Sequence, residues 1–257
     1  MKLFVPLASF AMFHMVTVFP LSWIFLYTDE APGTFLLIEA AGACLGVLAM
    51  LFSGWLSDKI GGIGLEHHRS SENQLEPDAF IAWDKQEWDR NLLPHEYAHS
   101  WSGKFRRPAR LWTPDYRQPM QGDLLWTYEG QDQFWGLVLA GRSGMQSKDM
   151  VLGQLASWAG NYTQQPGREW RSVEDTGFDP VFGGRKAKPY SSLARNEDYY
   201  TEGALVWLEA DQIIRAGTGG KKSIDDFAKL FFGMRDGDWG QLTFEVDEII
   251  TKLGQVY

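Results

Sequence analysis

Two long apolar runs stand at the start of the chain. Residues 3–27 carry no formal charge, and residues 34–56 are interrupted only by Glu39. A polar, turn-like segment at 28–33 separates the two runs. A helix of roughly 20 apolar residues is long enough to cross the hydrocarbon core of a membrane. The pattern therefore predicts a hairpin of two transmembrane helices in residues 1–61, with a pair of buried helices as the alternative.

Charges at the ends of this segment predict its orientation. Lys2 and Lys59 flank the two runs on the outside, whereas Asp29 and Glu30 lie in the connecting turn. Basic residues concentrate on the cytoplasmic side of membrane segments. We therefore expect residues 3–56 to contact a membrane, with both ends of the hairpin and the following domain at its cytoplasmic face.

The pattern changes after residue 61, where charged residues become frequent. Apolar side chains such as Leu125, Tyr128 and Trp135 recur there at the spacing of one helix face. Residues 62–257 therefore predict a separate domain of the α+β class that is mostly helical. Pro94 is expected in the first turn of its helix or at a kink. The predicted elements are a strand at 63–69, helices at 84–101, 123–140, 147–159, 197–215 and 223–232, a last helix after Thr243, and loops at 104–119 and 161–196.

Composition narrows the classes of function. The net charge of −9 argues against a nucleic-acid partner. Apolar residues make up 44% of the chain and charged residues 22%, which excludes a disordered protein. The single cysteine, Cys44, excludes an internal disulfide framework and a cysteine-based zinc finger. Cys44 also lies in an apolar run without a neighbouring base, so a catalytic thiol is not expected.

One short motif carries specific chemistry. Residues 95–99 read His-Glu-Tyr-Ala-His, which is the H-E-x-x-H pattern. On a helix, His95 and His99 share one face and can hold one Zn²⁺ together. Glu96 points aside from the metal, where it can accept a proton from a water molecule. Chance occurrence of the pattern is the alternative.

A catalytic zinc site needs a third protein ligand. Glu129 falls within a predicted helix among large apolar side chains, where an unpaired carboxylate is costly. A metal ligand explains this position, and a solvent-facing glutamate is the alternative. No histidine follows His99, so a set of three histidines would have to recruit His67 or His68. We therefore expect one zinc ion on His95, His99 and Glu129.

Several motifs in order make the domain recognisable. Residues 62–257 resemble the catalytic domain of the glycyl aminopeptidase family of zinc metallopeptidases, a branch of the gluzincins. The matching stretches are residues 64–71, 93–101, 128–130 and 198–204. The resemblance implies a thermolysin-like fold, zinc on His95, His99 and Glu129, and Glu96 as general base. Relative to that family we expect the domain to be truncated, without its β-rich N-terminal domain and its PDZ-like domain.

Two further roles follow from the same resemblance. Tyr200 is similar to the gluzincin tyrosine that donates a hydrogen bond to the developing oxyanion, with Tyr199 as its rival and a packed aromatic as the alternative. Glu66 lies where related aminopeptidases carry the glutamate that binds the free α-amine of the substrate; a surface glutamate is the alternative. His67 and His68 alternate along the predicted strand and are left out of the ligand set.

The first 61 residues resemble a different family. Residues 54–61 are similar to the Gly-x-x-x-Asp-x-x-Gly loop of the major facilitator superfamily, closest to a middle helix pair of its metabolite–proton symporters. Two helices cannot form an alternating-access pathway, because the substrate site of such transporters lies between repeats. Transport by this chain is therefore not expected.

These observations lead to one principal hypothesis. The chain is expected to be a zinc peptidase that cleaves peptide bonds with a zinc-activated water. By resemblance it would be an aminopeptidase that takes peptides with a free N-terminus and releases small residues such as Gly or Ala. One alternative is an inactive membrane-anchored fragment or fused reading frame with a transporter remnant. Another is a soluble zinc enzyme that lacks the first 61 residues in nature.

Overall fold

The structure is a computed structural model that describes residues 63–182, 190–238 and 240–257. Its strands are β1 Ile63–His67, β2 Ser70–Gln74, β3 Arg106–Pro108 and β4 Leu242–Phe244. Its α-helices are α1 Leu92–Ala98, α2 Leu125–Ser143, α3 Lys148–Thr163, α4 Val173–Thr176, α5 Asp179–Phe182, α6 Ser191–Ala194, α7 Thr201–Gly217, α8 Ile224–Phe232 and α9 Val246–Val256. Single 3₁₀ segments lie at Trp83–Lys85, Glu87–Asn91 and Pro166–Glu169. The described part is mostly helical α+β, as the sequence predicts.

The predicted long helix at 84–101 is the main difference among the helices. Two 3₁₀ segments precede α1, which is only seven residues long and begins at Leu92. Pro94 lies in the first turn of α1, where the amide hydrogen that proline lacks has no helical partner. His99 is the residue that directly follows α1 and keeps helical dihedral angles. The pair of histidines therefore still shares one face.

The strands form two small sheets that the sequence predicts only in part. β1 pairs antiparallel with β2, which places Glu66 opposite Ser71. β2 was not predicted because its side chains are almost all polar and exposed, with no alternation. β3 and β4 pair in parallel although they are far apart in sequence. Such long-range pairing leaves no local pattern in segments of three residues.

Helix α2 is the central element and packs closely against two other helices. Gly130 of α2 meets Gly203 of α7, where a Cβ on Gly203 would lie 2.7 Å from the carbonyl oxygen of Trp126. Gly136 of α2 meets α1, where an added Cβ would lie 2.8 Å from the Cβ of His95. Glycine at these positions lets the helix backbones approach each other. This approach brings the H-E-x-x-H segment against the helix that carries Glu129.

The apolar core joins α7 to the C-terminal helices and includes Trp135 of α2. Trp207 of α7 packs against Phe227 of α8, and Phe227 stacks on Phe231. Ser223 and Asp226 form a reciprocal capping box at the start of α8. Arg106 of β3 is buried over the Phe231 ring, 4.3 Å from its centroid. These contacts join the C-terminal helices to α7 and hold it against α2.

The hairpin predicted in residues 1–61 lies outside the described residues, and the domain boundary beside it stays a prediction. All described residues belong to one unit, Gly62–Tyr257. Over the ranges that the structure describes, no helix combines the length and apolarity needed to cross a membrane. The thermolysin-like arrangement implied by the resemblance likewise stays a prediction.

The close contact of α2 and α7 predicts a large effect of a single methyl group. We expect Gly203→Ala to lower the free energy of unfolding by about 1–3 kcal/mol, because the new Cβ overlaps the α2 backbone. Gly153→Ala in α3 is the matched control, since an added Cβ there meets nothing within 4 Å. The control should be neutral or stabilising by about 1 kcal/mol. Urea unfolding followed by circular dichroism measures both, and equal stability of the two variants would contradict the packing.

Candidate metal centre and active site

The structure brings His95, His99 and Glu129 together as a possible metal site. The Nε2 atoms of the two histidines lie 3.2 Å apart. Glu129 Oε2 lies 3.5 Å from Nε2 of His95 and 3.6 Å from Nε2 of His99. Four ligands held at zinc distances in a tetrahedron are about 3.3 Å from one another. The three donor atoms therefore already have the spacing that one zinc ion requires.

The hydrogen bonding of this cluster also fits a cation. Glu129 Oε2 is buried and accepts no hydrogen bond from the described residues. Burial raises the pKa of Glu129, but the imidazoles of His99 and His95 outweigh it, so the pKa is lowered and the carboxylate stays charged. A buried, charged oxygen without a donor is costly unless a cation satisfies it. The missing hydrogen-bond donor at Glu129 Oε2 therefore fits a metal ion bound by these three residues.

Glu96 lies beside the cluster. Its Oε1 is 4.0 Å from Nε2 of His95, and only 4% of the residue is exposed. The backbone of β1 covers it, since a Cβ added to Gly64 would overlap the Glu96 carboxylate. Burial raises the pKa of Glu96, although the charges of His95 and His99 oppose the shift. A carboxylate with a raised pKa is a better proton acceptor at neutral pH than an exposed one.

The other ring nitrogen of His99, Nδ1, is held by two partners outside the candidate metal site. Nδ1 lies 3.0 Å from the carbonyl oxygen of Ser102 and 3.1 Å from Oδ2 of Asp132. A proton on Nδ1 leaves Nε2 unprotonated and able to bind a metal. Asp132 is fully buried in α2, one turn after Glu129. Asp132 is not among the residues predicted from the sequence, although its spacing of three from Glu129 on a predicted helix is a signal for it.

Glu66 lies near the cluster but is engaged by other side chains. Its carboxylate accepts hydrogen bonds from the Tyr128 hydroxyl and the Arg107 guanidinium, and its Oε2 lies 3.5 Å from Nδ1 of His99. Glu66 lines a second cavity, together with Arg107 and Lys104. Its predicted contact with a substrate amine stays a prediction, and the described contacts make it a partner of Arg107 and Tyr128.

The remaining candidates from the sequence are a pair of histidines and a pair of tyrosines. His67 and His68 are exposed, and His67 lies 3.6 Å from Glu72, consistent with a ligand set that omits both histidines. Tyr200 precedes α7 and is half-buried, with its ring centroid 6.2 Å from that of His95. Its neighbour Tyr199 is 2% exposed and belongs to the buried side chains. Of the two tyrosines, Tyr200 is the one that reaches the pocket beside Glu96.

A buried arginine holds the segment that carries Tyr200. Arg195 is 1% exposed and pairs with Asp198 at 2.9 Å and with Glu202 at the start of α7. Its guanidinium also donates to the carbonyl of Arg171 at 2.7 Å. Breaking such a buried pair on one side leaves an uncompensated charge. The network therefore fixes the backbone on both sides of Tyr200.

A pocket of about 390 Å³ opens at this place, and His95, Glu96 and Tyr200 all line it. His99, Glu129 and Asp132 are not among the residues that line it. One wall therefore presents a candidate metal ligand, a buried carboxylate and a tyrosine to the same space. Such a site suits hydrolysis of a bond held between a metal and a proton acceptor.

Comparison with known proteins agrees with this geometry. Residues 88–206 match the M61 glycyl aminopeptidase family. The matched segment contains the three candidate ligands, Glu96 and Tyr200, and it leaves residues 1–61 unaddressed. A search among curated proteins finds no match. The family match supports a peptidase, and therefore a hydrolase.

The buried charges predict an unusual pH dependence for the metal-free protein. Burial raises the pKa of Asp132 from 3.8 to about 6, although His99 opposes the shift. Burial lowers the pKa of His99, but the charges of Asp132, Glu129 and Glu66 outweigh it and raise the pKa well above 6.5. Both groups therefore bind more protons in the folded state than in the unfolded state. The stability they contribute must rise as pH falls through these values.

We expect the melting temperature of chelator-treated protein to rise between about pH 8 and about pH 5.5. Zinc-loaded protein should show the opposite trend, because the histidine ligands must lose their protons to hold the metal. Asp132→Asn should reduce the change of melting temperature with pH in the metal-free protein. Thermal melts at several pH values test this, and parallel curves with and without metal would contradict the site.

Proposed function

We propose that this chain is a zinc-dependent peptidase of the glycyl aminopeptidase family. The observation that carries the proposal is the spacing of the Nε2 atoms of His95 and His99 and the Oε2 atom of Glu129, with Glu96 alongside. The family match over residues 88–206 supports the same reaction class. A peptidase uses both features of the site, the metal ligands and the adjacent proton acceptor.

His95, His99 and Glu129 would hold the zinc ion. When bound, zinc supplies a Lewis acid that polarises a carbonyl group and lowers the pKa of a water molecule. The role of His99 depends on its Nδ1 partners, Ser102 and Asp132, which fix the ring and its tautomer.

Glu96 is proposed as the general base and then the general acid. Its carboxylate accepts a proton from the attacking water and later passes that proton to the leaving amine. Its burial beneath Gly64 limits its rotation and keeps bulk water from it. The same burial raises the pKa of Glu96, which makes its carboxylate a stronger proton acceptor.

Tyr200 is proposed to donate a hydrogen bond to the carbonyl oxygen of the substrate. Negative charge grows on that oxygen only as the tetrahedral transition state forms, so a donor there lowers the barrier without tightening ground-state binding. Its place in the pocket lined by Glu96 supports this role. Arg195 holds the segment in place, which reduces the reorganisation needed during reaction.

The proposed substrates are peptides with a free N-terminus and a small first residue such as Gly or Ala. This part rests on the family to which residues 88–206 are similar. An inactive fragment would bind zinc without turnover or fail to bind it, so the first two variants below also test that alternative.

Glu96→Gln should abolish hydrolysis of glycine anilide, because the amide cannot accept the proton of the attacking water. Zinc content should stay stoichiometric, since Glu96 is not among the three ligands. Glu209→Gln, an exposed position on α7, is the control with the same change of charge. Turnover by Glu96→Gln at the rate of the control would refute the assigned base.

Tyr200→Phe should lower kcat by roughly 10²-fold with little change in KM, as expected for a donor that acts in the transition state. Tyr199→Phe is the matched control, because Tyr199 is buried beside Tyr200 and is not among the residues that line the pocket. Steady-state kinetics on both variants separates the two tyrosines. Equal losses would show that neither hydroxyl acts as the donor.

A further inference from the structure

One face of helix α3 meets both the pocket and the start of α7. Gln154, Trp158 and Tyr162 follow one another at intervals of four residues, which places them on the same face of a helix. Gln154 and Trp158 line the pocket beside Glu96. Tyr162 lies in the last turn of α3 and is only 5% exposed. The face of α3 that borders the pocket therefore continues into a buried tyrosine.

Tyr162 contacts the first residue of α7. The hydroxyl oxygens of Tyr162 and Thr201 lie 2.5 Å apart and share a hydrogen bond. Thr201 begins α7 and directly follows Tyr200 in the chain. Burial raises the pKa of Tyr162 to about 12, although the hydrogen bond with Thr201 opposes the shift. The phenol therefore keeps its proton, and with it this hydrogen bond, at neutral pH.

Arg168 makes a second link between the end of α3 and the start of α7. Its Nη1 donates to the carbonyl oxygen of Tyr162 at 3.3 Å, and its Nε donates to Glu202 at 2.7 Å. The side chain of Arg168 is 43% exposed, and ion pairs that water reaches contribute little. The hydrogen bond between Tyr162 and Thr201 is therefore the link that the experiments below remove.

An anchor next to Tyr200 matters because helix ends are weakly held. The first N–H groups of a helix have no partner within the helix, and its terminal residues fray. Arg195 holds the residues two positions before and two positions after Tyr200. The bond from Tyr162 holds the residue directly after it. A group that acts in a transition state must be placed within about 0.5 Å, so an anchor one residue away affects its action.

We propose that Tyr162 is a positioning residue, whose hydrogen bond to Thr201 holds Tyr200 in place for peptide hydrolysis. This inference rests on the proposed peptidase function and names a residue that acts on the proposed oxyanion donor from another helix. Tyr162 is not among the residues that line the pocket. Its effect on hydrolysis must therefore pass through the start of α7.

Steady-state kinetics on zinc-loaded, full-length protein gives the first test. Tyr162→Phe should lower kcat for glycine anilide about tenfold and change KM little, because a misplaced donor weakens only the transition state. Tyr116→Phe removes a hydroxyl from a fully exposed tyrosine and should leave kcat unchanged. Equal kcat values for Tyr162→Phe and Tyr116→Phe would overturn the proposal.

Substitutions of the partner test the same bond from the other side. Thr201→Val removes the second hydroxyl while keeping the shape of the side chain, so it should lower kcat as much as Tyr162→Phe does. Thr201→Ser keeps a hydroxyl at that position and should retain most of the activity. This pair also serves if Tyr162→Phe does not fold, and equal losses in the valine and serine variants would contradict the hydrogen bond.

A double-mutant cycle separates positioning from a general structural effect. Adding Tyr162→Phe to Tyr200→Phe should lower kcat little further, because the hydroxyl that Tyr162 positions is already gone. A residue that only stabilises the fold would lower kcat by the same factor in both backgrounds. The same factor in both backgrounds would therefore overturn the proposal.

A measurement without turnover distinguishes this proposal from the proposed function. In protein labelled with ¹³C at its tyrosine rings, the signal of Tyr200 is the one that Tyr200→Phe removes. Tyr162→Phe should shift that signal, whereas Tyr116→Phe should leave it in place. An unshifted Tyr200 signal would refute the positioning, and absence of metal-dependent hydrolysis by the unaltered chain would refute the peptidase.

Discussion

The close approach of α2 to α1 and α7 is the constraint on which the site depends. Gly136 lets α1 reach α2 beside His95, and Gly130 and Gly203 let α7 reach it one turn after Trp126. A side chain at any of these glycines would push the helix backbones apart, because their backbone atoms already fill the space. Histidine and glutamate donors from separate helices could not then share a single ion.

The close packing of these helices places several charged side chains in a buried region around His99. Carboxylate oxygens of Glu66, Glu129 and Asp132 lie 3.1–3.6 Å from the ring nitrogens of His99, and Arg107 pairs with Glu66. These carboxylates outweigh the effect of burial and raise the pKa of His99, and a divalent cation would balance the same negative charge. Metal affinity and folding stability are therefore coupled through one cluster.

The pocket and the cluster share a single wall. His95 faces both, so a substrate held in the pocket lies next to the candidate metal position. Arg195 fixes the segment that carries Tyr200 through Asp198 and Glu202, and Tyr200 lies between these two anchors. A rigid segment beside the pocket would favour one orientation of the proposed peptide substrate, which is what differential stabilisation of a transition state requires.

Local patterns determined the H-E-x-x-H pair and the capping box of α8, because each depends on spacing within one helix. The candidate ligand Glu129 followed from the cost of a carboxylate among apolar neighbours. The sequence did not show that Asp132 lies against His99, that Glu66 is bound by Arg107, or that β3 pairs with β4. Those contacts join segments that are far apart in the sequence, so no local pattern predicts them. Only the tertiary structure decided them, because helix packing at three glycines sets which side chains meet.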